Sequence, residues 1–121
     1  MALNYKDLNV FKEAHQLVLN IYKIIDSFPK RENYRINDQI IRAAYSVPSN
    51  IAEGNSRNTT KDYLSFLYIS RGSLNELQYF MLLSKDLGYI NDKIYQEVNS
   101  SITNIAIKLN ALIKSLKRKL K

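Results

Sequence analysis

Seven polar side chains, Gln39, Arg42, Ser46, Ser49, Asn50, Glu53 and Arg57, recur at helical spacing. On a helix turning about 100° per residue they fall within an arc of roughly 100°. Side chains of these types support two chemistries. Arginine, glutamine and asparagine grip phosphates and base edges, whereas the same mixture with serine and glutamate builds a hydrogen-bond network between helices or subunits. Glu53 favours the network, because a carboxylate repels phosphate and lies one turn before Arg57 in the favourable order for an ion pair. Gln39, Arg42, Ser46, Asn50, Glu53 and Arg57 therefore read as an interface.

A second group is cationic. The chain carries 18 Lys and Arg against 11 Asp and Glu, a net charge of +7, and the excess is local. Residues 1–97 hold 12 basic and 11 acidic side chains; residues 98–121 hold Lys108, Lys114, Lys117, Arg118, Lys119 and Lys121 with no acid. Such a cluster is a footprint of polyanion binding, RNA or DNA, and repeated copies in an oligomer would add their fields. The alternative is a solvated helix end whose cations suit the C-terminal dipole.

Catalytic chemistry finds no support. The absence of cysteine removes disulfides, thiolate zinc sites, iron–sulfur clusters and cysteine nucleophiles. His15 has no His or Cys nearby, Glu13 projects elsewhere on the helix, and no Glu-x-x-His pair of the di-iron kind occurs. The three glycines form no phosphate-binding loop. No catalytic, cofactor or metal residue is expected. Nine tyrosines and four phenylalanines offer stacking surfaces in principle. Phe11, Phe28, Phe66 and Tyr63 nevertheless sit on core periods, and Tyr34 and Tyr45 are the least explained by a core.

These groups must be positioned by helices. A first run, with Phe11, Ala14, Val18, Ile21, Ile25 and Phe28 at intervals of three and four, has Asp7 as its candidate N-cap and Pro29 as its stop. A second is expected from about residue 37 to near residue 54, with Pro48 inside it. That proline deprives the Ala44 carbonyl of its donor, a loss that Ser46 or Ser49 would partly compensate. The apolar surface of this run spans about 200°, through Ile36, Ile40, Ala43, Ala44, Val47 and Ile51 to Ile41, Tyr45, Pro48 and Ala52. Burial on two sides, one against a partner subunit, is the expectation.

Thr59 or Thr60 caps a third run containing Tyr63, Phe66, Leu67, Leu74, Leu77 and Met81. Within it Gly72, costing about 1 kcal/mol against Ala, implies close packing. Gly88 suits a left-handed helix terminus and Asn91 the next N-cap, with Ile90 and Tyr95 as a hydrophobic staple. In the fourth run Val98, Ile102, Ile105, Leu109, Leu112 and Leu116 form an a/d seam. Strand alternation is absent. The fold expected is one all-α domain over residues 1–121, an antiparallel up-down-up-down four-helix bundle. Without a membrane span or a signal-like N-terminus, a soluble cytoplasmic protein is expected.

Gln39, Arg42, Ala43, Ala44, Ser46, Asn50, Ile51, Ala52, Glu53, Gly54 and Arg57 together resemble the signature of a bacterial four-helix-bundle family. It is the family of proteins encoded in 23S rRNA intervening sequences, also labelled S23 ribosomal protein-like. Phe28-Pro29 with Glu32 and Tyr34, Gly72-Ser73 with Glu76-Leu77, and the Leu87–Ile90 turn fit as well, so the likeness covers almost the whole chain. Arg71 is a departure, standing where small apolar residues are common. The resemblance implies a homopentamer related to the accessory protein of diversity-generating retroelements, which partners a reverse transcriptase and nucleic acid. The function expected is thus a noncatalytic homo-oligomeric bundle that binds nucleic acid or a ribonucleoprotein partner through its basic surface. A structural or protein-partner adaptor without nucleic-acid binding is the alternative.

Overall fold

In a computed structural model, residues 4–120 are described and form four α-helices: α1 (Asn9–Ile25), α2 (Ile36–Asn55), α3 (Thr60–Asp86) and α4 (Asp92–Arg118). Each packs on its sequence neighbours, α4 closes back on α1, and the backbones of the diagonal pairs α1/α3 and α2/α4 stay further apart. The contacts run antiparallel. Val47 meets Ser70 while Gly54 meets Phe66, and Gln78 meets Asn99 while Arg71 meets Asn110. The chain is an all-α, up-down-up-down four-helix bundle. Among the described residues no helix is long and apolar enough to cross a membrane.

The helix starts follow local chemistry. Thr59 accepts from the Asp62 N–H at 3.1 Å and Asn91 from the Ile94 N–H at 2.8 Å, both as N-caps. Asp7 does not cap α1. It belongs to a 3₁₀ turn, Tyr5–Asp7, whose own cap is Asn4, and α1 starts after Leu8 without a side-chain cap. The turn is anchored by packing, with the Tyr5 and Phe11 rings edge to face at 4.8 Å. At the far end α1 stops at Ile25, and Phe28 continues into the core from the loop before Pro29.

Gly88, at φ +80, closes α3. Its N–H donates to the Lys85 carbonyl and that of Tyr89 to Ser84, the paired bonds of a Schellman terminus. This turn is tied to the α1–α2 connection through Tyr89, whose hydroxyl donates to the buried Glu32 carboxylate at 2.6 Å. Arg35 lies 3.8 Å from the same carboxylate. The bond to Glu32, then burial and the carboxylate's charge, raise the Tyr89 phenol above its ordinary range.

Ile21, Ile40, Val47, Ile51, Leu67, Leu74, Leu77, Met81, Ile105 and Leu109 fill the centre. The seam of α4 departs from the expected one after Leu109: Ile113 is buried and Leu112 only half-buried. A straight helix with 3.6 residues per turn drifts off a strict heptad, so a four-residue step restores the inward direction. In α3 the interior position is Leu64, while Phe66 and Tyr63 are half-buried on the α2 side. Both sides of α2 are covered within the chain, by α1 and α3. Ile36, Ile40, Ala43, Ala44, Val47, Pro48 and Ile51 are buried, leaving Tyr45, 46 % exposed, as the large apolar side chain outside. The breadth of its apolar surface is thus accounted for by neighbouring helices of the same chain.

Close packing occurs at Gly54, not at Gly72. A Cβ at Gly54 would lie 2.9 Å from both Phe66 Cβ and Tyr63 Cδ1, and 3.1 Å from the Tyr63 carbonyl oxygen. At Gly72 an added Cβ meets nothing within 4 Å. Replacing Gly54 with Ala is expected to destabilise the chain by about 1–3 kcal/mol, the usual cost of overpacking, read as a lower denaturation midpoint. For Tyr89→Phe, the loss of stability relative to the parent is expected to be constant from neutral pH up to about pH 10. A group whose folded-state pKa is raised contributes fully below the unfolded value, so the deficit should shrink as pH rises through the folded pKa. A deficit growing with alkaline pH would contradict the assignment.

Candidate functional site

The polar stripe lies along the outer edge of the α2–α3 seam, and the structure divides its members into three states. Ser46 and Asn50 are engaged. The Ser46 and Ser73 hydroxyls are 2.8 Å apart, and the Asn50 amide donates to the Ser46 carbonyl at 2.8 Å and hydroxyl at 3.0 Å. The Ser49 hydroxyl donates to the Ser46 carbonyl at 3.3 Å. Ser46 and Ser49 are thus committed to other partners than the Ala44 carbonyl, contrary to the compensation expected for Pro48. Instead a buried serine crosses the seam at the proline: Ser70 donates to the Val47 carbonyl at 2.8 Å.

Glu53 and Arg57 form the second state, an i,i+4 ion pair at 2.5 Å, with the guanidinium carbon 4.6 Å from the Phe66 ring centroid. Both side chains are about half exposed, so the pair is worth a few tenths of a kcal/mol, about 0.3–0.5. Gln39 and Arg42 are the third. They are exposed, make no hydrogen bond or ion pair among the described residues, and line a shallow depression with Tyr45, Ser46, Ser73 and Glu76. Glu76 likewise has no ionic partner among those residues. A cation and a carboxylate, both uncommitted, stand over one hydrogen-bonded floor.

The basic residues of α4 do not form one patch. Successive positions on a helix rotate by about 100°, and the contacts show them dispersed. Lys108 pairs with Glu13 of α1, so its charge is locally offset. Lys117 sits 5.7 Å from the centroid of the Tyr68 ring on α3. Lys119 lines a cleft at the end of the bundle with Leu8, Asn55, Arg57, Thr59 and Tyr63. Lys114 and Arg118 are exposed without a partner among the described residues. Lys121 lies outside the described residues.

The cleft joins the two sequence groups, since Arg57 comes from the stripe and Lys119 from the tail. Burial pushes the Tyr63 phenol beside them above its ordinary range, and the hydrogen bond from Asn55, at 3.2 Å, draws it partly back. Two contributors were not among the sequence candidates. Tyr68 and Arg71 on α3 face α4, where Arg71 lies 5.0 Å from the Tyr68 ring centroid and donates to Asn110 at 3.3 Å. Their three-residue spacing was visible; their register against Lys117 was not.

Tyr34, 95 % exposed, and Tyr45 lie outside the core as their positions suggested. His15 packs its ring parallel to Phe11, 6.1 Å between centroids. Among the described residues no three His, Cys, Asp or Glu side chains converge as a metal site would require.

These features define a small helical bundle whose functional-type side chains lie on two seams and one end. The chain belongs to the 23S rRNA-intervening sequence protein family, whose model matches residues 6–111. In three dimensions it is similar to a protein of unknown function from the S23 ribosomal protein family of Bacteroides thetaiotaomicron. The TM-score is 0.81 and the identity 24 %, over 87 % of this chain and 95 % of that one. At this identity the likeness carries the fold. No curated protein matches the sequence.

Proposed function

We propose that the protein is a noncatalytic, homo-oligomeric bundle, with five copies as the resemblance to its family implies, that binds RNA, DNA or a ribonucleoprotein partner through its basic surface. The observation that carries this reading is the end of α4. Lys114, Lys117, Arg118 and Lys119 are all exposed there, and the chain has no acid after Glu97. Uncompensated cations at a bundle end attract polyanions, and every copy added to an oligomer multiplies the field. A reverse transcriptase complex is one such partner in this reading.

A second reading, an assembly or adaptor protein without nucleic-acid binding, is favoured by the face of α2 and α3. Uncommitted Arg42 and Glu76 share a depression there, and Ile69 and Tyr79 of α3, seven and three positions from Glu76, are exposed. An arginine and a glutamate on one patch can satisfy each other across two copies, and apolar side chains nearby add buried area.

Both readings can be separated. Binding of RNA and DNA is measured against salt for the full chain and for a variant with Lys114, Lys117, Arg118 and Lys119 replaced by Gln, which keeps the buried Leu116 in place. The expected result is a lower affinity and a log–log salt slope shallower by about 0.7–0.9 for each phosphate that the variant no longer neutralises. Equal slopes for parent and variant would remove the basic-surface reading. Light scattering is expected to show an oligomer that Arg42→Ala weakens, with folding stability changed by less than about 0.5 kcal/mol, as for a surface substitution. A parent chain that is monomeric at micromolar concentration would overturn the oligomeric part of both readings.

A further inference from the structure

Tyr68 stands on the α3–α4 seam, 36 % exposed, with two cations against its ring, Arg71 at 5.0 Å and Lys117 at 5.7 Å from the centroid. Exposed cation–π contacts of this kind hold only about 0.5–1 kcal/mol each. The cations are therefore easily released to a stronger partner such as phosphate. Lys114 lies three positions from Lys117, hence beside it on the helix surface. Around Tyr68 carboxylates are sparse: α3 has none between Asp62 and Glu76, the latter one turn beyond Gly72, and α4 has none after Glu97.

Gly72 adds an independent observation. It is one turn from Tyr68 on the same helix face, it is exposed, and no atom outside its own surroundings comes within 4 Å of an added Cβ. Its cost in helix propensity, about 1 kcal/mol, therefore has no return within the chain. Beside the tyrosine it leaves a bare strip of backbone on which a flat ring can lie. A partly exposed aromatic ring, cations over it that a phosphate can draw away, and a bare strip beside it are the parts of a base-stacking platform.

We propose that Tyr68, Gly72, Arg71 and Lys117 form a platform for single-stranded nucleic acid, with a base stacked on the Tyr68 ring over Gly72 and the flanking phosphates held by Arg71 and Lys117. This rests on the nucleic-acid reading of the basic surface and assigns the binding to the α3–α4 seam. A duplex, whose bases are already stacked, gains only the phosphate interactions. The platform reads π faces, so it is tolerant of sequence.

The test uses the full chain with short single-stranded RNA and DNA oligomers and a duplex of the same length, each titrated at several salt concentrations. Tyr68→Ala is expected to weaken single-strand binding about 5- to 100-fold, the effect of losing one stacked base, and duplex binding less than about twofold. Tyr68→Phe should retain the single-strand affinity, showing that the ring and not the hydroxyl is used. Arg71→Gln and Lys117→Gln should each reduce the single-strand salt slope by about 0.7, while Lys108→Gln should not. Gly72→Ala is expected to raise the thermal midpoint and lower single-strand affinity, so a binding loss cannot be misread as unfolding. RNA preferred over DNA would show an interaction with the 2′-hydroxyl in addition to the platform, and equal binding the platform alone.

A parent chain that binds with salt dependence but is indifferent to Tyr68→Ala, or whose affinity for single strand and duplex falls equally, would overturn the platform and leave the basic-surface reading standing. A parent that binds neither nucleic acid overturns both. Dissociation of the oligomer in Gly72→Ala, with single-strand affinity per subunit intact, would place Gly72 against a second copy and overturn its part.

Discussion

The close approach of α2 to α3 is the constraint on which the other seams depend. Gly54 permits it at one end, where any side chain would strike Phe66 and Tyr63. Midway, Ser70 delivers a hydroxyl to the carbonyl that precedes Pro48. Further along, Ser46 and Ser73 meet through hydroxyls short enough to keep the two backbones close. Small side chains recur along this seam because a Leu or Ile in their place would need more room between the two backbones. With α2 pinned to α3, α1 and α4 close the ring on their opposite flanks, and the large aliphatics share one centre.

Polar groups on the same seam also surround the proline in the middle of α2, although none of them donates to the Ala44 carbonyl that it leaves without a helical donor. Pro48 lacks an N–H and would leave a buried backbone acceptor short of donors. The chain supplies hydroxyls and an amide to carbonyls around it: Ser70 to Val47, Ser49 and Asn50 to Ser46. Each bond contributes a net of about 0.5–1.5 kcal/mol, and removing one from a buried carbonyl costs more than that, because the acceptor is left without water. The serines and asparagine of the stripe thereby have a structural occupation. The residues left over for outside partners are Arg42, Gln39 and Glu76.

What could be read from the sequence was whatever depends on neighbours within about one turn. Thr59 and Asn91 as caps, Gly88 as the left-handed terminus, Glu53 paired with Arg57 and the existence of four helices all follow from local spacing, and all stand as expected. Features depending on which helix faces which were not legible. Gly72 and Gly54 look alike as sequence, yet only Gly54 has an opposing wall, because register between α2 and α3 decides it. Asp7 has a capping side chain, but packing of Tyr5 on Phe11 folds its segment into a separate turn. The switch from Leu112 to Ile113 reflects accumulated helical drift over three turns. The run of cations near the C-terminus looks continuous in one dimension and is spread over several flanks in three. Lys108 ends beside Glu13, Lys117 beside Tyr68 and Lys119 beside the cleft with Arg57.

This dispersal bears on how two kinds of binding can coexist on so small a molecule. α3 has two outer flanks. Toward α2 it presents Ser73 and Glu76 to the depression that holds Arg42, and toward α4 it presents Arg71 and Tyr68 beside Lys117. Self-association through the first flank would leave the second open, and its cations would be repeated at each copy. Charge favours that division of labour. The α2–α3 depression contains both signs and can be neutralised by another copy of itself, whereas the part of the α3–α4 wall around Tyr68 gathers Arg71, Lys114 and Lys117 and would repel a copy presenting the same patch. Like-charge surfaces facing one another cost energy that an intervening polyanion removes. On the proposed reading, therefore, the mixed-charge seam is suited to like partners and the cationic patch around Tyr68 to a strand of phosphates, with α3 the element common to both.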